Sequence, residues 1–192
     1  MRIATFKPFL WMTLFVLISG CTEMVVKPVE DKYHLSERKN FYDLKKWRFT
    51  GRLVIVDKKE SWTATLEWHH LEKKETLTLS GPLGQSAIKI TLTENLMTLD
   101  RGDGKVTQSE DITHFIEQQL GMVIPVKSLR YWVLGLTHPD KPFVQLADGF
   151  EQEKWIIQYR EMQQINKKWM PRKLKAMRGK TRLKLVIDQW TL

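Results

Sequence analysis

Residues 47–55, Trp47-Arg48-Phe49-Thr50-Gly51-Arg52-Leu53-Val54-Ile55, set Trp47, Phe49, Gly51, Leu53 and Ile55 at every second position. Arg48, Thr50, Arg52 and Val54 fall between them. Successive side chains of an extended chain point to opposite faces of a sheet, so this run predicts a strand with one apolar and one wet face. The alternation returns at Trp62, Ala64, Leu66 and Trp68, set against Thr63, Thr65 and Glu67. It continues at Leu77 and Leu79, at Ile88, Ile90 and Leu92, and at Met97 and Leu99. Period two over five successive segments predicts an antiparallel meander.

Outward from this block the period changes. Between residues 30 and 46, Tyr33, Leu35, Phe41, Tyr42 and Leu44 have the loose spacing of an amphipathic helix. On the other side, Ser109 is placed to cap a helix whose first turn holds Glu110 and Asp111, where carboxylates suit the helix dipole. Ile112, Phe115, Ile116 and Leu120 mark its inner face, and Gly121 supplies a stop. Pro125 suits the first turn of another helix, with Val126, Leu129, Trp132, Val133 and Leu136 turned inward. Strands are predicted again over 143–146, 154–159, 169–177 and 181–190. The expected class is mainly β (α+β): a curved antiparallel sheet with helices against it, in one domain.

The whole chain has 192 residues, 42% of them hydrophobic and 28% charged, which is the composition of a globular protein. A single cysteine excludes an internal disulfide framework and a multi-cysteine metal site. Lys and Arg number 31 against 22 Asp and Glu, a formal charge of +9. Such an excess attracts nucleic acid, anionic lipid or an acidic partner, and the compartment decides among them. Arg2 and Lys7 precede a short apolar run from Phe9 to Ile18, too short for a spanning helix and laid out like a secretory signal. The run ends Leu17-Ile18-Ser19-Gly20-Cys21, which resembles the bacterial lipobox, with the sole cysteine at the position whose thiol receives a diacylglycerol. Residues 1–20 are therefore expected to be a lipoprotein signal, 21–29 a lipidated tether and 30–192 the folded domain. Removal of the first 20 residues would leave 172, and loss of Arg2 and Lys7 would take the charge to +7. Thr22 follows the cysteine; an Asp there retains lipoproteins in the inner membrane of well-studied bacteria, so its absence favours the outer membrane by analogy. Outside the cytoplasm nucleic acid drops out as a partner.

Candidate chemistry is sparse. Gly102-Asp103-Gly104-Lys105 lacks the spacing of a phosphate loop and predicts a hairpin turn. His69 and His70 are adjacent on a strand and point to opposite faces, which disfavours a shared metal ion. Ser80-Gly81-Pro82-Leu83-Gly84 is not a nucleophile elbow, and no Ser/His/Asp set is arranged for catalysis. The expectation is no enzyme, no cofactor and no metal. Gly81-Pro82-Leu83-Gly84 does carry a signal of another kind: an aliphatic residue at the tip of a tight turn, where polar residues are usual, suggests contact with an apolar medium or a plug folded onto the core. Aromatic and aliphatic residues on the inner faces fit either a packed core or an apolar cavity, with Trp68, Leu77, Ile88, Ile90, Leu129 and Trp132 as candidate lining. Between Met162 and Ile187 lie nine Lys and Arg and no acid, with Arg182, Lys184 and Val186 on one face and Leu183, Leu185 and Ile187 on the other. That basic face is either simply solvated or drawn to anionic headgroups or an acidic partner.

Taken in order, these pieces resemble the LolB family of lipoprotein receptors. The resemblance rests on the lipobox, Trp47-Arg48-Phe49-Thr50-Gly51-Arg52-Leu53, a second strand ending in Trp68, the Gly81-Pro82-Leu83-Gly84 turn and Ser128-Leu129-Arg130-Tyr131-Trp132-Val133-Leu134-Gly135-Leu136. It extends through Trp155-Ile156-Ile157-Gln158-Tyr159 and Met170-Pro171 to Leu183-Lys184-Leu185-Val186-Ile187-Asp188-Gln189-Trp190. The stretch 146–154 is short for the family, so a trimmed strand is expected there. The resemblance implies an unclosed antiparallel barrel of about eleven strands, with three helices covering an apolar cavity. It further implies an outer-membrane lipoprotein, facing the periplasm and monomeric, that takes lipoprotein cargo by its acyl chains from the chaperone LolA and inserts it into outer-membrane lipid. A lipoprotein of lipocalin-like shape that binds a periplasmic protein or small lipid without transfer is the alternative. Residues 81–84 would be the membrane-inserting loop and Cys21 the lipid attachment site.

Overall fold

A computed structural model describes residues 33–57, 60–81, 87–120 and 124–192. Eleven strands form one sheet: β1 (Lys46–Asp57), β2 (Glu60–Leu71), β3 (Lys74–Ser80), β4 (Ile88–Leu92), β5 (Met97–Asp100), β6 (Val106–Ser109), β7 (Phe143–Leu146), β8 (Gly149–Gln152), β9 (Trp155–Ile165), β10 (Lys168–Arg178) and β11 (Thr181–Thr191). Helices α1 (Ile112–Leu120) and α2 (Val126–Trp132) stand between β6 and β7 in the chain, and a 3-10 helix, Leu35–Asp43, precedes β1. Every pairing is antiparallel, in the order β6-β5-β4-β3-β2-β1-β11-β10-β9-β8-β7. β6 and β7 are the free edges, so the sheet is an open half-barrel.

The period-two reading of the first strands holds: Trp47, Phe49, Leu53 and Ile55 are buried, as are Ala64, Leu66 and Trp68, Leu77 and Leu79, and Met97 and Leu99. Trp62 departs from its row, being 36% exposed at the rim. The centre of the core is aromatic. Trp47 lies 5.7 Å from Trp68 and 5.9 Å from Trp190, while Phe49 lies 5.0 Å from Trp190, in the tilted and edge-on contacts that aromatic quadrupoles favour.

Several sequence expectations are corrected. The segment before β1 winds as a 3-10 helix, because only Arg38 and Phe41 of it are buried and the buried stripe is too narrow for a longer α-helix. Asp111, not Ser109, caps α1: its Oδ1 accepts the His114 amide at 3.0 Å, while Ser109 ends β6. The short stretch near 146–154 keeps its strand. β8 fits into four residues because Glu153 and Lys154 both adopt positive φ, giving a two-residue turn into β9. Gly102-Asp103-Gly104-Lys105 is the β5–β6 hairpin turn, with both glycines at positive φ.

One half of the interior is held by polar ties as well as apolar contact. Buried Gln152 is satisfied on both amide atoms: Oε1 accepts Trp132 Nε1 at 3.0 Å and the His138 amide at 2.7 Å, and Nε2 donates to the carbonyls of His138 and Lys141. Buried Arg38 donates to the carbonyls of Leu134 at 2.8 Å and Trp169 at 2.9 Å, which ties the 3-10 helix to the end of α2 and to β10. Tyr33 stacks on Tyr159 at 4.1 Å, and their hydroxyls donate to the carbonyls of Gly135 and Trp132. No described helix is long and apolar enough to cross a membrane.

Candidate functional site

The other half of the interior, between β1–β4, β11 and the two helices, is not filled. A void of about 50 Å³ remains there, and every described side chain around it is apolar. β1 contributes Leu53 and Ile55, β2 Leu66 and Trp68, and β11 Leu183 and Leu185, while Ile116, Val126 and Leu129 close it from the helices. The cause is local. Alternation delivers every second residue of each strand to the inside, and the short α1 and α2 each present one apolar stripe across the opening. Curvature holds the sheet away from the helices, and medium-sized aliphatic groups do not span the gap.

Of the six lining residues proposed from sequence, Trp68, Leu77, Ile90 and Leu129 meet at this void. Ile88 is half-buried beside it on β4, and Trp132 belongs to the packed half, 6.1 Å from Trp155. Periodicity identifies the inward face but not how far along a strand the void lies, which is why two of the six fall outside. Gly81 is the residue at which the chain leaves β3. Cys21 and Pro82, Leu83 and Gly84 lie outside the described residues.

A second opening of about 340 Å³ adjoins the first, with Val126 in both walls. Its floor is Glu75, a buried carboxyl that sequence reasoning missed. Trp68 Nε1 donates to Glu75 Oε2 at 2.7 Å, His70 Nδ1 lies 2.7 Å from Oε1, and Arg130 of α2 approaches Oε1 at 3.6 Å. The signal was present, since Glu75 shares the parity of Leu77 and Leu79 and so had to point inward. His69 and His70 do face opposite ways: His69 pairs with Glu67 on the wet side while His70 stacks on Trp47 at 5.2 Å. Among the described residues no three His, Cys, Asp or Glu gather as a metal would require. An arrangement of this kind can hold flexible apolar chains on one side and a polar group on the other.

The sequence model of a family described as "Outer membrane lipoprotein LolB" matches residues 45–190, which is the sheet from β1 to the end of β11. An outer-membrane lipoprotein LolB from Chromohalobacter salexigens is 28% identical over 199 residues, covering 99% of this chain and 92% of that one. One from Nitrosococcus oceani is 30% identical over 92% of this chain and 93% of its own, and one from Pseudomonas paraeruginosa 30% identical over 95% and 94%. Among solved structures, a DUF1329 family protein from Desulfovibrio piger aligns with a TM-score of 0.47 at 8% identity, over 82% of this chain and 90% of that one. This chain belongs to the LolB family of outer-membrane lipoproteins.

Proposed function

We propose that this protein acts as a monomeric receptor that takes lipoproteins from LolA by their acyl chains and inserts them into the outer membrane, without chemical catalysis. The observation that carries the reading is the void between the sheet and the helices, whose described lining is apolar throughout. At about 50 Å³ it exceeds one water's share of liquid, about 30 Å³, but is far too small for an acyl chain. In this reading α1 and α2 lift from the sheet on acceptance, and the chains replace contacts the helices made. Transfer can run downhill in affinity with no energy source. A tenfold preference over the chaperone needs only about 1.4 kcal/mol, roughly the burial of two methylenes. In this reading Cys21 carries the acyl anchor, and Leu83 enters the lipid during delivery.

The test separates these roles. A Cys21→Ala protein exported behind a cleavable signal should accept cargo from loaded LolA in solution, as followed by mass spectrometry of the bound species. Adding Leu83→Glu should leave acceptance intact and lower insertion into outer-membrane vesicles. One leucine buried in lipid contributes roughly 1.5–3 kcal/mol, enough to bias a docking tip and too little to anchor a protein. A folded protein that accepts no cargo defeats the receptor reading. A large drop in melting temperature for Leu83→Glu makes that side chain part of the core instead.

A further inference from the structure

The β10–β11 hairpin carries a run of charge on residues that do not line the void. From Arg172 to Ile187 it holds seven Lys and Arg and no acid. Arg172 and Lys173 are engaged by Glu161 of β9. Among the residues whose side chains are described, no carboxylate lies within ion-pair distance of Lys175, Arg178, Lys180, Arg182 or Lys184, and Asp57, beside the hairpin, accepts from the Thr181 hydroxyl instead. Lys175 stands directly opposite Lys184 in the register. Both lie on the outer face, since their neighbours Leu174, Ala176, Leu183 and Leu185 are buried. Like charges on opposed residues repel, and an outside anion bound between them would relieve the contact.

The surroundings narrow the kind of anion. Val54 faces Lys184, Val56 faces Arg182 on its other side from Met177, and all three apolar residues are half-buried. Cations interleaved with aliphatic groups suit a lipid interface, where long basic side chains reach headgroups above an apolar base. The end of the sheet matters as well. Arg182 pairs with Val56 and Val56 with Ser61, while Ser80, just before the exit at Gly81, pairs with Thr65 opposite Arg52. The hairpin and the exit from β3 therefore point to the same end, where Ile55, Trp62 and Leu183 also line the void.

We propose that Lys175, Arg178, Lys180, Arg182 and Lys184 form a docking surface for the phosphate headgroups of anionic phospholipid, which sets this end of the half-barrel against the membrane. The proposal rests on the membrane-delivery reading above. An acidic protein surface is the other class of partner such a field would attract, and the interleaved apolar side chains and the shared end with Gly81 favour lipid.

The experiment uses the Cys21→Ala mature chain, floated with vesicles of phosphatidylcholine alone or with phosphatidylglycerol added. The parent should float with the anionic vesicles only, and less so as salt rises. Each basic residue near such a surface contributes roughly fivefold, so Lys175→Gln/Arg182→Gln/Lys184→Gln should weaken flotation by at least about tenfold. The melting temperature should not fall. A control with Lys45, Lys46 and Lys74 changed to Gln, at the opposite end of the sheet, should float like the parent. Equal flotation of parent and hairpin variant overturns the proposal, as does an equal loss in the control, which would reduce the effect to net charge. A hairpin variant that floats normally but no longer binds loaded LolA assigns the surface to an acidic protein. Cargo acceptance in solution needs no vesicles, so failure of the receptor reading shows there and failure of this proposal shows in flotation.

Discussion

Tyr33 and Tyr159 meet face to face in the packed half of the barrel, and burial pushes both phenols above their ordinary value of 10, with the Arg38 guanidinium opposing the shift. The unfolded chain releases these protons near pH 10 while the folded chain keeps them. Stability is therefore fully present below that pH and falls above it, with a slope set by up to two protons. A urea series should show a flat midpoint at neutral pH and a decline above pH 10, and Tyr33→Phe should remove about one proton from the slope. The same variant should lose about 1 kcal/mol at neutral pH, because the Gly135 carbonyl loses its donor. Individual residues were unevenly legible in the sequence. Strand parity placed Glu75 on the inner face, but its partner Arg130 comes from α2, and no local pattern says which helical residue crosses to which strand.

At the scale of elements, long alternating runs were readable because one-sided burial imposes period two over many residues. The strands that escaped, β6 and β8, show no alternation: β6 buries none of its four residues and β8 buries Gly149, Phe150 and Gln152 of its four. β8 exists through turn geometry and pairing with both neighbours rather than through its own hydrophobic pattern. Gly51 shows the reverse case, a residue whose reason is tertiary. It sits at the register shift of β1 against β11, and a Cβ added there would press into the Val186 carbonyl oxygen, inside van der Waals contact. Both are backbone groups in the middle of the sheet, so neither can step aside. Gly51→Ala should cost about 1–3 kcal/mol and lower the melting temperature, with the m-value unchanged. A neutral outcome would mean that the bulge relaxes freely.

Across the whole molecule the interior divides into a half tied by hydrogen bonds and a half left partly empty. That division was not legible in the sequence, because inward-facing Leu and Trp residues look alike whether or not they meet a neighbour. It has a measurable consequence. Leu129→Ala at the void and Trp132→Ala in the packed half should each cost about 2–5 kcal/mol in the empty protein. Only Leu129→Ala should change the affinity for acyl chains, since it alters the surface they would occupy. Thermal melts paired with a cargo-transfer assay read the two effects separately, and a loss of acceptance in Trp132→Ala beyond its fraction unfolded would erase the distinction.

The join between β1 and β11 reaches across almost the entire domain, with Arg48 bonded to Thr191, 143 positions away. The chain emerges N terminus first, so β1 can zip onto β2 early while its other edge waits for the last strand to appear. Closing a loop of that length costs about 4 kcal/mol of chain entropy before the ladder repays it, which favours slow, late completion. Until then β1 presents an unpaired edge with Trp47, Phe49, Leu53 and Ile55 on its inner side, the sort of template on which nascent chains aggregate. The most hazardous moment for this protein therefore comes during its own maturation, in the interval before its final eleven-residue strand arrives.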